Sequence, residues 1–328
     1  LDLPFDISQV LFIATANSMD TIPSPLLDRM EIIRLSGYIS SEKLAIARKY
    51  IVPKSLERTG LSAKEIAYTK PALQAVADDY AREAGMRNFE KQIDKINRKV
   101  AKKLVLGEAK PPLTIDSPDL EGYLGKPLFR EDSAVLARTP GIVTGLAWTN
   151  FGGDTLSIEA IAIPGKEGFT LTGQMGDVMK ESAGIAYSYV RSIAGKFGVN
   201  PKFFSGNTIH LHIPAGATPK DGPSAGITMA TCLLSLARNR RVKQKLAMTG
   251  ELSLSGRVLP IGGLKEKTIA AQRLGIRDII IPQANERDLS EIPEIVKKGI
   301  TFHPVEHFDQ VIALAFKEAK VSREPAGE

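Results

Sequence analysis

The 328-residue sequence, with 43% hydrophobic and 24% charged residues, is long enough for about two domains that each bury a core. Its 43 Lys and Arg against 37 Asp and Glu leave a net charge of +6 with both signs interspersed, which argues against a surface built mainly for a nucleic-acid backbone. No apolar stretch approaches the roughly 20 residues of a membrane span. The single cysteine, Cys232, excludes an internal disulfide, fits a reducing compartment and sits in an apolar run as a core residue would.

The chain opens at Leu1 without an initiator Met, as a fragment or processed chain would. Residues 10–16 are a continuous apolar run ending at Asn17, expected as a buried parallel strand. Pro23 and Pro25 mark a turn, so residues 1–36 read as the trailing edge of an α/β unit. Residues 37–113 follow a helical period. Ser40 or Ser41 caps a helix to about Tyr50, Pro71 opens a second that stops near Gly85, and a third over 88–106 carries Phe89, Ile93, Ile96, Val100 and Leu104 on one stripe. These make a small helical bundle. The lysines and arginines of the third helix, among them Lys91, Lys95, Arg98 and Lys102, suit a solvated face or a phosphate-facing patch. Pro and Gly between 108 and 130 mark a seam, with 114–121 as linker, and 122–317 alternate strands and helices as a further α/β domain. Residues 155–163 and 208–213 alternate as strands, and 177–197 carry a helical stripe of Met179, Ala183, Ala186, Val190 and Ile193. Residues 318–328 read as a polar tail.

Chemistry concentrates in two segments. GATPKDGPSAGI, residues 216–227, sets Ser224 between a Gly/Pro-rich turn and a helix beginning near Ala225. There, unpaired backbone N–H groups can stabilise negative charge, although a capping serine is placed the same way. A hydroxyl needs a base. His210 and His212 share one face of a strand and read as surface or supporting groups; Pro304 weakens a helical pairing of His303 with His307. In residues 262–273 a 3.6-residue period puts Lys267 on the stripe of Leu264, Ala271 and Leu274, with Lys265 on the other side. An inward amine is pushed toward its neutral form and can take the serine proton, unless it snorkels from the stripe's edge. Thr249 is placed to orient that amine, Glu159 to position a site residue or substrate, and Asp221 to tune Ser224 or shape the cleft. Each also suits a turn or strand end. No His, Cys, Asp and Glu cluster has metal-ligand spacing.

PKDGPSAG at 219–226 and TGELSLSGRVLPIGGLKEKTIAA at 249–271 resemble the nucleophile and lysine segments of the Lon protease family, A class, and GLAWTNFGGDTLSIEA at 145–160 resembles the start of its protease domain. The resemblance implies Ser224 as nucleophile, Lys267 as base, Thr249 contacting the lysine and Glu159 assisting, with His210 and His212 supporting. Upstream, FIATANS at 12–18 resembles a sensor-1 strand and nominates Asn17. LLDRME at 26–31 resembles an arginine-finger region and nominates Arg29, and REAGMRNFE at 82–90 resembles sensor-2 and nominates Arg87, all three for nucleotide. The implied fold is multidomain: the C-terminal remnant of an AAA+ α/β subdomain over 1–36, a helical AAA+ lid over 37–113 and an α+β serine–lysine protease domain over 122–317. The resemblance implies an ATP- and Mg2+-dependent endopeptidase of the bacterial cytoplasm rather than the mitochondrial matrix, in a ring, usually a hexamer, acting on unfolded or damaged protein, with DNA binding in some members and no membrane. The sequence holds no GxxxxGK[S/T] phosphate loop, so this stretch is not expected to hydrolyse ATP alone. A non-proteolytic scaffold and a nucleic-acid-binding module are the competing readings.

Overall fold

The structure, a computed structural model, describes residues 6–16, 19, 22–33, 37–83, 85–129, 139–149, 152–214 and 220–316. Two compact units divide it, 1–36 and 37–328. In the first, a short helix α1 (Ser24–Leu27) is the regular element. The run at residues 10–16, expected as a buried strand, forms no ladder, and Leu11, Phe12 and Ile13 are 84%, 70% and 85% exposed. A strand is held by its neighbours, and among the described residues none flanks this run.

The second unit begins with helices. α2 (Ser40–Ile46) continues through a wide π-turn over Ala47–Ile51 into α3 (Val52–Thr59), so the helix expected to end near Tyr50 runs one element further. Pro53 explains the turn: it has no N–H to give and crowds the carbonyl four residues back, and the π-turn, closed by the Val52 N–H on the Ala47 carbonyl, carries it without a break. Strand β1 (Ile66–Tyr68), α4 (Lys70–Ala75) and the long α5 (Arg87–Val105) follow. The segment expected as linker is instead ordered into this body. β2 (Leu113–Ile115) pairs in parallel with β1, and α6 (Leu120–Leu124) buries Leu120 and Tyr123 against Ile93, Ile96 and Val100. Lys91, Arg98, Lys99 and Lys102 of α5 face solvent, whereas Lys103 lies over the Tyr123 ring and Lys95 donates to the Leu124 carbonyl at 3.2 Å.

The C-terminal α/β body is one seven-stranded sheet with helices on both faces. In chain order its elements are β3 (Ile142–Thr149), β4 (Gly152–Pro164), β5 (Gly168–Thr172), α7 (Asp177–Ile193), β6 (Asn207–His212), α8 (Gly226–Ala237), β7 (Leu246–Met248), a small hairpin β8 (Glu251–Leu252) and β9 (Val258–Leu259), α9 (Leu264–Arg273), β10 (Asp278–Pro282), α10 (Glu294–Lys297), β11 (Thr301–Val305) and α11 (Phe308–Ala315). The sheet order is β11-β10-β7-β3-β4-β6-β5, and the pairings make β4 alone antiparallel to the rest. One face packs under α7, α8 and α11 through Val143, Ile158, Leu211, Met248 and Ile280. The other packs under α9 and α10 through Leu146, Ala247, Leu264, Ile279 and Ile281. The alternation is strict, because successive strand residues point to opposite faces.

The register of β4 follows from this: Ile158 is fully buried toward α8, and Ile161 is 57% exposed on the opposite face. Urea denaturation followed through the fluorescence of the one tryptophan, Trp148, tests it. Ile158→Ala is expected to remove about 2–5 kcal/mol and Ile161→Ala about 0.5 kcal/mol or less; a strand slipped by one residue would reverse the order.

Candidate active site

Four elements converge where β7 ends. Thr249, the next residue, extends the ladder by donating its N–H to the Ile280 carbonyl at 3.1 Å, and its side chain is fully buried. From one face of the sheet comes the loop before α8, which carries half-buried Ser224. Its Ser224 carbonyl accepts the Gly250 N–H at 2.8 Å and the Thr249 hydroxyl at 3.2 Å, while the Gly250 carbonyl accepts the Ile227 N–H of the first turn of α8 at 3.1 Å. A first-turn amide has no partner within its own helix, so this stitch satisfies the start of α8 and fixes Ser224 beside it.

From the other face comes α9. Leu264, Lys267, Thr268 and Ala271 are its buried stripe, as helical phase requires, and Lys267 is only 2% exposed. Its amine donates to Thr249 Oγ1 at 3.0 Å. Thr249 therefore links the lysine from one side of the sheet to the backbone of the serine from the other. The helix can come this close because residue 153 of β4 is glycine: a Cβ there would lie 1.8 Å from the Glu266 carbonyl oxygen and 3.0 Å from the Lys267 backbone nitrogen. Burial pushes the Lys267 amine down from the ordinary lysine value of 10.5 to about 8, against the weaker opposing charge of Glu266. At pH 8 roughly half of such amines are neutral, against about 0.3% for an unperturbed lysine.

The other candidates fall at different places. The Asp221 carboxylate accepts the Met179 N–H of α7 at 2.9 Å and the Gly222 N–H at 2.8 Å. Glu159 sits toward the far end of β4, opposite His212 on β6, and accepts from Ser157 at 3.4 Å. His210 and His212 both bond the Thr172 hydroxyl, at 2.9 and 2.7 Å. Among the described residues no hydrogen bond joins Glu159, His210 or His212 to Ser224, Thr249 or Lys267, and the Ser224 hydroxyl itself makes none. Cys232 is fully buried in the core, its thiol donating to the Gly141 carbonyl at 3.1 Å. His303 lies on β11 and His307 caps α11, and no described group of three or more His, Cys, Asp or Glu can hold a metal ion.

Residues 114–318 match the Lon protease (S16) C-terminal proteolytic domain, and residues 57–113 match the Lon protease AAA+ ATPase lid domain. The chain belongs to the Lon protease family. It is 57% identical over 323 residues to the Lon protease of Treponema pallidum (strain Nichols), covering 98% of this chain and 37% of that one. It is 55% identical over 317 residues to Lon protease 1 of Borreliella burgdorferi, and 53% identical over 317 residues to Lon protease 1 of Syntrophotalea carbinolica, covering 96% of this chain and 39% of the relative in each case. The chain thus spans less than two fifths of the length of these relatives.

Of the residues nominated for nucleotide in this Lon chain, Asn17 lies outside the described residues. Arg29 follows α1, and Arg87 opens α5; both are exposed. The packing body of the lid runs through Tyr123, beyond the residues that match the Lon lid. Sequence reasoning did not single out Gly153 or Gly250, the close approaches that let α9 and the serine loop meet the strand end.

Thr249→Val removes one of two donors to the Ser224 carbonyl and the acceptor of the Lys267 amine. A hydrogen bond to a charged group favours the charged form, so the variant is expected to lower the ascending limb of the peptidase pH profile by about one pH unit and to reduce kcat about tenfold. Thr249→Ser keeps both bonds and is expected to retain the wild-type profile. A Thr249→Val profile that does not move would show that Thr249 does not hold the Lys267 amine.

Proposed function

We propose that this chain is the peptide-cutting part of an ATP-dependent serine endopeptidase, with Ser224 as nucleophile and Lys267 as base. One observation carries the reading: a lysine buried to 2% exposure, and held through Thr249 to the backbone of a serine at a helix start, has its amine lowered to about 8. A buried charged amine is costly unless it is paired or hydrogen-bonded, and a neutral hydroxyl offsets that cost less than a carboxylate would. The hydrogen-bond acceptor of Lys267 is a hydroxyl.

In the proposed reaction neutral Lys267 takes the Ser224 proton, and Ser224 Oγ attacks the peptide carbonyl. The amides of Ser224 and Ala225, which make no hydrogen bond among the described residues, are open to the oxyanion. The protonated amine then gives its proton to the leaving nitrogen as the C–N bond breaks, leaving an acyl-enzyme. Water, deprotonated by the same amine, releases the acid and restores the serine. Thr249 positions Lys267; for Glu159 on β4 and His210 and His212 on β6, only the family resemblance suggests a supporting role.

For the whole protein we propose ATP- and Mg2+-driven delivery of unfolded or damaged proteins into a ring, a hexamer, in the bacterial cytoplasm; the named relatives are Lon proteases of bacteria. The residues present do not by themselves make a nucleotide site, since no GxxxxGK[S/T] loop occurs in the sequence. No described helix is long and apolar enough to cross a membrane.

In the full-length protein Ser224→Ala and Lys267→Ala are each expected to lower cleavage of a fluorogenic peptide and of an unfolded protein by at least about a thousandfold, with the ring unchanged in sedimentation. The base must be neutral, so wild-type kcat/KM is expected to rise with pH through a midpoint near 8 and to fall below it as the amine takes a proton. Cleavage retained in Ser224→Ala would exclude this chemistry and favour a scaffold.

A further inference from the structure

The segment that delivers Ser224 is fastened at both ends. Its C-terminal end is stitched to the end of β7 by Gly250 and Thr249. Its N-terminal end is fastened to the start of α7. There the Gly176 N–H donates to the Lys220 carbonyl at 2.7 Å, the Lys220 N–H donates to the Gln174 carbonyl at 3.2 Å, and Met175 forms a parallel bridge with Lys220. One residue on, Asp221 Oδ1 accepts both the Met179 N–H at 2.9 Å and its neighbour's Gly222 N–H at 2.8 Å. Further along α7, Ser182, 4% exposed, donates to the Pro223 carbonyl at 3.4 Å.

The first turn of a helix leaves amides without partners, and a side chain at the N-cap position normally accepts from one of them. The N-cap residue of α7 is Gly176, which has no side chain to do so. Asp221 supplies the missing acceptor from the serine loop, and the fit is close: a Cβ on Gly176 would lie 2.3 Å from the Asp221 carboxyl carbon.

We infer that the first turns of α7, through Gly176, Met179 and Ser182, are a positioning clamp for the nucleophile, and that Asp221 serves it as a hydrogen-bond acceptor rather than as a charge in the proton relay; this rests on the reading of Ser224 as nucleophile. Only Gly222 and Pro223 separate the Asp221 anchor from Ser224, so a shift at α7 reaches the serine with little slack. Both N–H groups end on the same oxygen, Oδ1. An asparagine keeps that oxygen, and the second carboxylate oxygen is not needed for either bond.

Asp221→Asn, Asp221→Ala and Gly176→Ala in the full-length protein separate the roles, with two readouts. The first is peptide cleavage: Asp221→Ala and Gly176→Ala are expected to lower kcat about tenfold or more while KM and the position of the pH limb hold, and Asp221→Asn to stay within about threefold of wild type. The second is hydrogen exchange: the Met179 and Gly222 amides are expected to exchange faster in Asp221→Ala and Gly176→Ala, and near the wild-type rate in Asp221→Asn. If Asp221→Asn is as damaging as Asp221→Ala, or moves the pH limb, the charge matters and the inference is overturned. It is equally overturned if Asp221→Ala leaves both amides exchanging at the wild-type rate. The exchange readout judges the clamp even if Ser224→Ala still cleaves peptide, in which case the nucleophile assignment fails separately.

Discussion

A lysine amine brought through to the end of a central strand, with a threonine hydroxyl as its hydrogen-bond acceptor, is the contact on which the rest of the domain is organised. Lys267 approaches from the layer of α9, and Ser224 from the layer of α7 and α8. The two layers pack on opposite faces of one sheet, whose side chains lie between them. They can meet only past a strand end, and β7 is the short strand that provides one. Thr249 occupies that gap: its backbone belongs to the sheet, and its hydroxyl serves both visitors. The same burial that makes this contact selective disfavours charge on the amine, so packing and chemical competence have one cause.

Backbone closeness keeps this arrangement in place. Gly153 lets α9 lie directly on β4, and the exchange of hydrogen bonds between Gly250 and the serine loop ties the beginning of α8 to the strand end. α7 contributes from the side, its first turn held by the loop rather than by its own N-cap residue. A site built this way depends on elements far apart in sequence, and a small displacement of any one of them is felt at the hydroxyl and the amine.

Much of this was legible from the sequence where the signal lay within one element. The inward phase of Lys267 could be counted against Leu264 and Ala271, and the helical stripes of α5 and α7 and the alternation of β4 and β6 were equally local. The role of Thr249 was suggested by its place after the apolar run 246–248 and by the family resemblance, but nothing in a single residue after Met248 says what its hydroxyl faces. Ser182 gave no signal: it is a small residue among the alanines of a helical stripe, and its partner lies in another segment. Helix and linker ends misled where tertiary context decides them. The helix expected to end near Tyr50 is carried past Pro53 by a π-turn, and the Pro-rich stretch after residue 110 looked like a seam, although Ile115, Leu120 and Tyr123 complete the helical core. Residues 10–16 have the composition of a buried strand without a neighbour among the described residues to make them one.

The central claim is that the Lys267 amine is held near neutrality by its burial, and a direct titration of that amine is the sharpest test. Lysine side chains enriched in carbon-13 at the carbon bonded to the amine, compared between wild type and Lys267→Arg to assign the signal, report protonation by their chemical shift. The Lys267 resonance is expected to titrate near pH 8, well below the ordinary lysine value of 10.5. A Lys267 signal that titrates at the ordinary lysine value would mean that the amine remains charged where peptides are cut, and the base in this site would have to be sought elsewhere.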